Sequence, residues 1–449
     1  MQRLSIPRSI LAATRSPSLT RATPLLALLA FTTIAIILAW TKTWPSAFDE
    51  LEHVSYAAWL QETGRLLPDL PAMHTLAAED LTRWNPAPNY LPHPSPYYLY
   101  ITSFLDRTLP PRQAVLLPRL ASAALVALGV ALTLFAAKRH LPQSLSGRRR
   151  GWGTQSPSPI AEESHSTPDQ LAQFVFCLLV ALCPKLLAVA GQVTNDALAL
   201  LAGGLAYWGA CTLDRRPWPA RTALLLAMLF ALWAKPNAGI AIGAFLGVYG
   251  LLRLRSLPAL LPPLIAGSLL GAIPYVFILR QHGALVPMSV EQLGGVHQLG
   301  SYAAYVPAFL VNVAYTWCFA QTGTWPVTNP AGDIAVLLVW LLLACTVIGA
   351  LLAARTPATP SRAPSCVIAI AAPVAFLLVL PIHFWYSATT LGFSIPAASF
   401  RYYLPIWPAL AHAVAWAVAR APRAWQRHAI ATLAIATLVL GWISPGATD

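Results

Sequence analysis

A cluster of three acids and one histidine directly follows the first long apolar segment of the chain. Asp49, Glu50, Glu52 and His53 lie within five positions of each other, just after the apolar run at 24–40. Charge so close to hydrocarbon is costly, so an acidic group at this position indicates a function by default. A carboxylate can take the proton of an attacking hydroxyl that lies within about 3 Å. Carboxylates and a histidine at short spacing can also bind a divalent cation.

The residues that carry this cluster predict a helix. Ser46 is placed as its N-cap with Asp49 at the third helical position, and Gly64 is a suitable end. On this helix Asp49 and His53 share a face, whereas Glu52 points elsewhere, towards solvent. We expect an amphipathic helix on the membrane surface, with Asp49 held close to the bilayer. Two alternatives stay open for Asp49: a capping role worth about 1 kcal/mol or less, and a metal site.

The composition is that of a polytopic membrane protein. The 449 residues are 57% hydrophobic and 10% charged, with a mean hydropathy of +0.59, whereas soluble domains carry about 25% charged residues. A spanning helix needs about 20 mostly apolar residues. We therefore predict an all-α polytopic membrane protein, a single membrane domain over 1–449 with about 11 transmembrane helices. The predicted spans are 23–40, 117–137, 171–190, 196–213, 220–234, 238–252, 257–279, 333–353, 365–385, 402–419 and 429–444.

The distribution of Lys and Arg predicts the orientation. Most of the 29 basic residues fall in alternate loops together with the N-terminus, which places these loops in the cytoplasm. The cluster then lies in a first outer loop over 41–116, and a second outer loop covers 280–332. A flexible cytoplasmic linker is predicted at 139–170. Because the basic residues sit between apolar segments rather than on one stripe, the net charge of +13 indicates the lipid bilayer and excludes a nucleic-acid partner.

Two basic residues at predicted outer helix ends are candidates for holding an anion. Lys235 interrupts the apolar residues 220–252 beside Pro236, where its charge needs a partner. Arg401 opens a late span, and the alternative for it is interfacial snorkelling. Asn195 and Asp196 head the fourth helix, where an acid complements the helix dipole and a capping role is the alternative to binding.

Four motifs on the predicted outer face carry a resemblance. They are Asp49-Glu50, Pro92-His93-Pro94-Ser95-Pro96-Tyr97-Tyr98, Gln192-Val193-Thr194-Asn195-Asp196-Ala197-Leu198 and Phe400-Arg401-Tyr402-Tyr403-Leu404-Pro405. In this order they resemble the C-type (GT-C) superfamily of integral-membrane glycosyltransferases, including the protein O-mannosyltransferase and aminoarabinose transferase branches. The chain departs from the family pattern where His93 and Ser95 interrupt the usual proline pair.

The resemblance implies a glycosyltransferase of the bacterial inner membrane with its active site on the periplasmic face. It would move one sugar, with inversion, from a polyprenyl-phosphate donor to an extracytoplasmic glycan, lipid or protein. The resemblance places the role of catalytic base on Asp49. We expect Glu50 and His53 to assist it, and we expect no metal or other cofactor. The expected substrate-binding residues are Lys235, Arg401, Tyr402, His93, Tyr97, Asn195 and Asp196. The alternatives are a transporter or flippase of a lipid-linked sugar, and a non-catalytic partner in envelope assembly.

Overall fold

Helices dominate the fold. The computed structural model describes residues 17–46, 49–65, 67, 69–70, 72–89, 91, 93, 96–141, 168–285, 300–317, 330–355, 364–393, 397–422 and 426. In chain order the elements are α1 (Pro17–Thr41), α2 (Glu50–Thr63), β1 (His74–Ala77), β2 (Asp80–Pro88), α3 (Pro96–Thr102), α4 (Pro111–Ala114), α5 (Leu116–His140), α6 (Pro168–Ala181), α7 (Pro184–Ala190), α8 (Asp196–Thr212), α9 (Pro217–Ala234), α10 (Pro236–Leu252), α11 (Leu257–His282), α12 (Tyr302–Tyr315), α13 (Pro330–Ala354), α14 (Pro364–Thr389) and α15 (Trp407–Arg420). Short 3₁₀ turns cover Leu254–Ser256, Phe400–Tyr402 and Leu404–Ile406.

The described residues contain six helical stretches that are long and apolar enough to cross a membrane. They are Ala22–Thr41, Pro111–His140, Pro217–Ala234, Leu254–His282, Val336–Ala354 and Pro364–Thr389. Helices α6 and α7, bent by 45° at their junction, make a seventh span if they cross together. Large apolar side chains are exposed along α11 and α13, among them Leu269 and Leu337. Such surfaces are suited to lipid, and the chain is a multi-pass membrane protein.

The predicted spans correspond to helices throughout the described part of the chain. The segment at 429–444 lies outside the described residues, and α8 and α10 are only 17 residues long, so the total of 11 spans stays a prediction. The break predicted at Lys235 is present. There α9 ends at Ala234, Lys235 is extended with φ −171° and ψ 150°, and Pro236 opens α10, where a missing N–H costs nothing.

Helix α8 lies at the centre of the bundle, packed between α5 and α9 and buried along most of its length. A Cβ added at Gly204 would overlap the backbone of Gly129 in α5. One added at Gly203 would overlap the backbone of Pro405, in the turn before α15. Small residues allow helices to approach this closely, and they set the distance between α8 and the segment that contains Arg401.

The loop predicted at 41–116 differs from the expected surface helix. Its helix begins at Glu50, so Ser46 is not its N-cap and Asp49 stands one residue before the first turn. The predicted end at Gly64 is confirmed, with φ 64°. Residues 53–60 of the helix are buried within the protein, because α3 and a β-hairpin cover the helix. The sequence analysis did not predict this hairpin, in which β1 and β2 pair antiparallel.

Candidate active site

A cavity of about 310 Å³ lies where six separate segments meet. These are the start of α2, the stretch that contains Leu91 and His93, the start of α8, the α9–α10 break, the C-terminal half of α14 with Leu391 just after it, and the turn Phe400–Tyr402. Eight of the ten residues selected from the sequence line it: Asp49, His53, His93, Asn195, Asp196, Lys235, Arg401 and Tyr402. The opposite wall is largely apolar and comes from α10 and α14.

Asp49 directs its carboxylate into this cavity rather than onto its own helix. The backbone of Asp49 is left-handed, with φ 65° and ψ 24°, a conformation that few residues other than glycine adopt but that Asp tolerates better than most. Its side chain makes no capping hydrogen bond to α2. Instead Oδ2 accepts a hydrogen bond from Nη1 of Arg401 at 3.2 Å, and both side chains remain partly exposed, at 25% and 17%.

A second ion pair lies in the same cavity, between Lys235 and Asp196. Lys235 is the extended residue between α9 and α10, and Asp196 is the first residue of α8. Asn195 donates from Nδ2 to the carbonyl of Ala234 at 2.7 Å. This bond ties the start of α8 to the end of α9, which holds the two charged partners together.

Tyr402 lies close to both cations. Nζ of Lys235 is 5.0 Å from the centroid of its ring, and Cζ of Arg401 is 5.4 Å from it. Both distances are within the range of cation–π attraction. The cavity therefore presents two cations near one aromatic ring, and each cation has a carboxylate partner that offsets the cost of its burial.

His53 and His93, two of the three histidines that line the cavity, are uncharged at neutral pH. Burial lowers the pKa of His53 to about 3 and that of His93 to about 3. Nδ1 of His53 lies 2.8 Å from the hydroxyl of Tyr98. Nδ1 of His93 has no hydrogen-bond partner within the described part of the chain. Neither ring supplies positive charge, so anion binding falls to Lys235 and Arg401.

Glu50 and Tyr97, although selected from the sequence, are not among the described residues that line the cavity. Glu50 is fully buried and accepts hydrogen bonds from Arg119 at 2.7 and 2.8 Å and from the Val193 N–H at 2.9 Å. Burial alone would raise the pKa of Glu50, but these bonds hold it below its ordinary value. The hydroxyl of Tyr97 lies 2.8 Å from Oγ of Ser122. Both side chains attach the first loop to the helices beneath it.

Glu52 is less solvated than its helical position suggested. It is half-buried, and burial together with the neighbouring carboxylate of Asp49 raises its pKa to about 7. Glu52 is not among the described residues of the cavity wall. It is a neighbouring acid of Asp49 rather than a second acid of the site.

The sequence analysis did not select ten residues of the cavity wall, and four of these have polar or aromatic side chains: Asn237, His383, Trp385 and Tyr386. His383 could have been found, because it is the histidine of the apolar span predicted at 365–385, and a polar side chain within a span marks a function. The same signal applies to Arg119, within the span predicted at 117–137. In neither case does the sequence alone name a partner.

A metal ion finds little support in these side chains. Within the described residues, no group of three His, Cys, Asp or Glu could hold one. Asp49 and His53 share the cavity, but each has a partner within the protein, Arg401 and Tyr98 respectively.

Comparisons with known proteins leave the chain without an assigned family. No family model matches it, and no curated protein is significantly similar in sequence. A crystal structure of ArnT from Cupriavidus metallidurans in the apo state aligns with a TM-score of 0.38 and 13% identity, over 87% of this chain and 76% of that chain.

Proposed function

We propose that this protein is a membrane glycosyltransferase that moves one sugar from a polyprenyl-phosphate donor to an extracytoplasmic acceptor. One observation carries the proposal: a carboxylate and two cations, from segments far apart in the chain, line a single cavity. Asp49 and Arg401 are 3.2 Å apart, and Lys235 and Arg401 are both close to the ring of Tyr402. Carboxylate and cations are the groups that transfer from a lipid phosphate requires.

The proposed reaction is a single displacement at the anomeric carbon. The acceptor hydroxyl oxygen forms the new bond to this carbon while the bond to the donor phosphate oxygen breaks. The hydroxyl proton passes to Asp49, which acts as general base. The bonding electrons leave with the phosphate, whose growing charge Lys235 and Arg401 stabilise. A single displacement of this kind inverts the anomeric configuration.

The ion pair of Asp49 with Arg401 gives the proposed reaction an order. A phosphate binds a guanidinium in the same forked geometry as a carboxylate, so the donor phosphate competes with Asp49 for Arg401. When the phosphate takes over the guanidinium, the carboxylate of Asp49 becomes available to the acceptor hydroxyl. We therefore propose that the donor binds first and that its binding activates the base.

The apolar wall of the cavity favours a lipid-borne substrate. Ile240 of α10 and Ile382 and Trp385 of α14 line the cavity. The same side chains are 40%, 47% and 63% exposed, as is suitable for helix surfaces that face lipid. A donor with its phosphate at the cations can leave its chain along this wall. The excess of basic residues in the predicted inner loops favours a periplasmic position for the cavity.

The experiment is sugar transfer by the purified full-length protein in lipid nanodiscs. The protein is incubated with a panel of undecaprenyl-phosphate hexoses and pentoses and with a lipid extract as acceptor, and the release of undecaprenyl phosphate is measured. We expect release from at least one donor, and loss of release in the Asp49→Asn variant. Movement of these lipids across vesicles without release of undecaprenyl phosphate would instead support a flippase.

A further inference from the structure

His383 lines the cavity, yet the proposed reaction assigns it no step. Its Nε2 lies 2.8 Å from the carbonyl oxygen of Ala397, and its Nδ1 lies 2.7 Å from the hydroxyl of Tyr403. A carbonyl oxygen can only accept, so Nε2 must carry the hydrogen and Nδ1 must accept from the Tyr403 hydroxyl. Both nitrogens are therefore used within the protein, and neither is available for proton transfer.

The two partners of His383 lie on opposite sides of the residues that bind the proposed phosphate. Ala397 precedes Arg401 and Tyr402 in the chain, and Tyr403 follows them. The imidazole also packs edge-on against the ring of Tyr402, with centroids 4.7 Å apart and planes at 78°. One side chain thus contacts the segment 397–403 before, at and after its functional residues.

This segment depends on such contacts because it has little regular structure of its own. Arg401 and Tyr402 lie in a 3₁₀ turn of three residues, a short element with poor hydrogen-bond geometry. From the other side, Asn312 of α12 donates to the carbonyl of Ala398 at 3.0 Å, and the Phe400 N–H donates to Thr316 at 2.8 Å. Helix α12 therefore holds the start of the segment, and His383 holds both of its ends.

We propose that His383 is a positioning residue that fixes the segment 397–403 from α14 and so keeps Arg401 and Tyr402 at the donor phosphate. The inference rests on the proposed function, because it concerns the same cavity. It assigns His383 no contact with the reacting atoms. Displacement of a binding group by about 1 Å lowers an enzymatic rate on the order of 100-fold, so loss of this support has a measurable effect.

The test compares two variants of His383 with a matched control. His383→Phe keeps an aromatic ring but loses both hydrogen bonds, whereas His383→Gln retains one donor and one acceptor. The control is His412→Phe. His412 is also buried and lies 2.7 Å from the Tyr207 hydroxyl and 2.8 Å from Ser365 Oγ, but it is not among the described residues of the cavity wall.

Four quantities are measured for each protein: the melting temperature, the Kd of farnesyl phosphate, and the kcat and KM of a donor that the wild type uses. We expect His383→Phe to raise the Kd and KM and to lower kcat/KM on the order of 10- to 100-fold, and His383→Gln to recover most of this loss. His412→Phe is expected to lose thermal stability while its folded fraction keeps the wild-type Kd and KM.

Each outcome decides a different point. A wild-type Kd and kcat/KM in His383→Phe overturns the inference and leaves the proposed function intact. Equal losses in His383→Phe and His412→Phe also overturn it, because the effect is then one of stability alone. A wild type that neither binds farnesyl phosphate nor releases undecaprenyl phosphate overturns the proposed function, and the inference with it.

Discussion

The carboxylate of Asp49 and the guanidinium of Arg401 lie 3.2 Å apart although 352 positions separate them in the chain. This contact joins the first residues after α1 to the turn before α15. It pairs the proposed base with one of the proposed phosphate ligands, so a donor phosphate would have to compete with Asp49 for Arg401. The consequences of this competition can be measured separately from turnover.

Substitution of Asp49 by Asn should have opposite effects on transfer and on binding. Loss of a general base should lower kcat by about 10²- to 10⁴-fold. The same change removes the carboxylate that competes for Arg401, so farnesyl phosphate should bind several-fold more tightly. Titration of both proteins in nanodiscs measures the affinity. The control is Glu52→Gln, which removes a carboxylate of the same helical turn that does not line the cavity; weaker binding by Asp49→Asn would contradict the competition.

Replacement of Arg401 by Lys should separate charge from geometry. Lysine keeps the positive charge but lacks the planar fork that matches a phosphate. A hydrogen bond to a charged group contributes about 1.5–3 kcal/mol, so the affinity for farnesyl phosphate should fall on the order of 10-fold or more. Arg65→Lys is a suitable control, because Arg65 forms an exposed ion pair with Asp69. An unchanged affinity in Arg401→Lys would show that the guanidinium of Arg401 does not bind the phosphate through its forked geometry.

A double variant should separate the contribution of the Lys235–Asp196 pair to stability from the proposed role of Lys235 in binding the phosphate. Lys235→Met leaves Asp196 buried without its charge partner, and breaking a buried pair costs about 3–5 kcal/mol. Adding Asp196→Asn removes the stranded charge and should restore much of the melting temperature without restoring transfer. If transfer returned together with stability, Lys235 would have no part in binding the phosphate.

Glu50 should behave differently from Asp49, although the two are adjacent. Glu50→Gln weakens the buried pair with Arg119 and should lower the melting temperature strongly, because the guanidinium keeps an uncompensated charge. The fraction that remains folded should keep its KM and most of its kcat. Addition of Arg119→Met should recover stability. If the Glu50→Gln protein folded but had no activity, Glu50 would have a role in catalysis after all.

The buried His53 should make the fold sensitive to acid. The pKa of His53 is lowered from 6.5 to about 3, so between these values the unfolded chain binds a proton that the folded protein does not. Stability therefore rises with pH across this window and is lost as the pH falls from 6.5. Melting temperatures at pH 7 and pH 5 should differ less in His53→Gln than in the wild type. The control is His74→Gln, because His74 is exposed. If the melting temperature fell equally between pH 7 and pH 5 in His53→Gln and in the wild type, the result would argue against a neutral His53.

The sequence predicted which residues line the cavity better than it predicted their partners. Lys235 and Asp49 stand out because a charge beside apolar residues is costly, and this cost is a local property. Their partners, Asp196 and Arg401, are set by the packing of distant helices, and no local spacing encodes them. The sequence analysis therefore grouped Asp49 with Glu50, whereas the fold turns Glu50 towards Arg119.

The conformation of the first loop shows the same division. Glycine at position 64 predicted the end of α2, because a left-handed residue commonly ends a helix. The start of α2 was predicted three residues too early, with Ser46 rather than Asp49 at the position before the first helical residue. Its burial beneath the β-hairpin depends on tertiary contacts, among them the Leu76 N–H that donates to Ser55 Oγ at 2.8 Å. The helical periodicity of the sequence does not indicate that a β-hairpin packs over α2.

Gly203 allows the segment that contains Arg401 to approach α8 closely. Its missing side chain lets Pro405 rest against α8, and Pro405 lies four residues after Arg401, while α8 begins with Asp196. The separation between Arg401 and Asp196 thus depends on how closely these two stretches of backbone can approach. A single methyl group at position 203, with no charge and no polar atom, would act as a spacer between them.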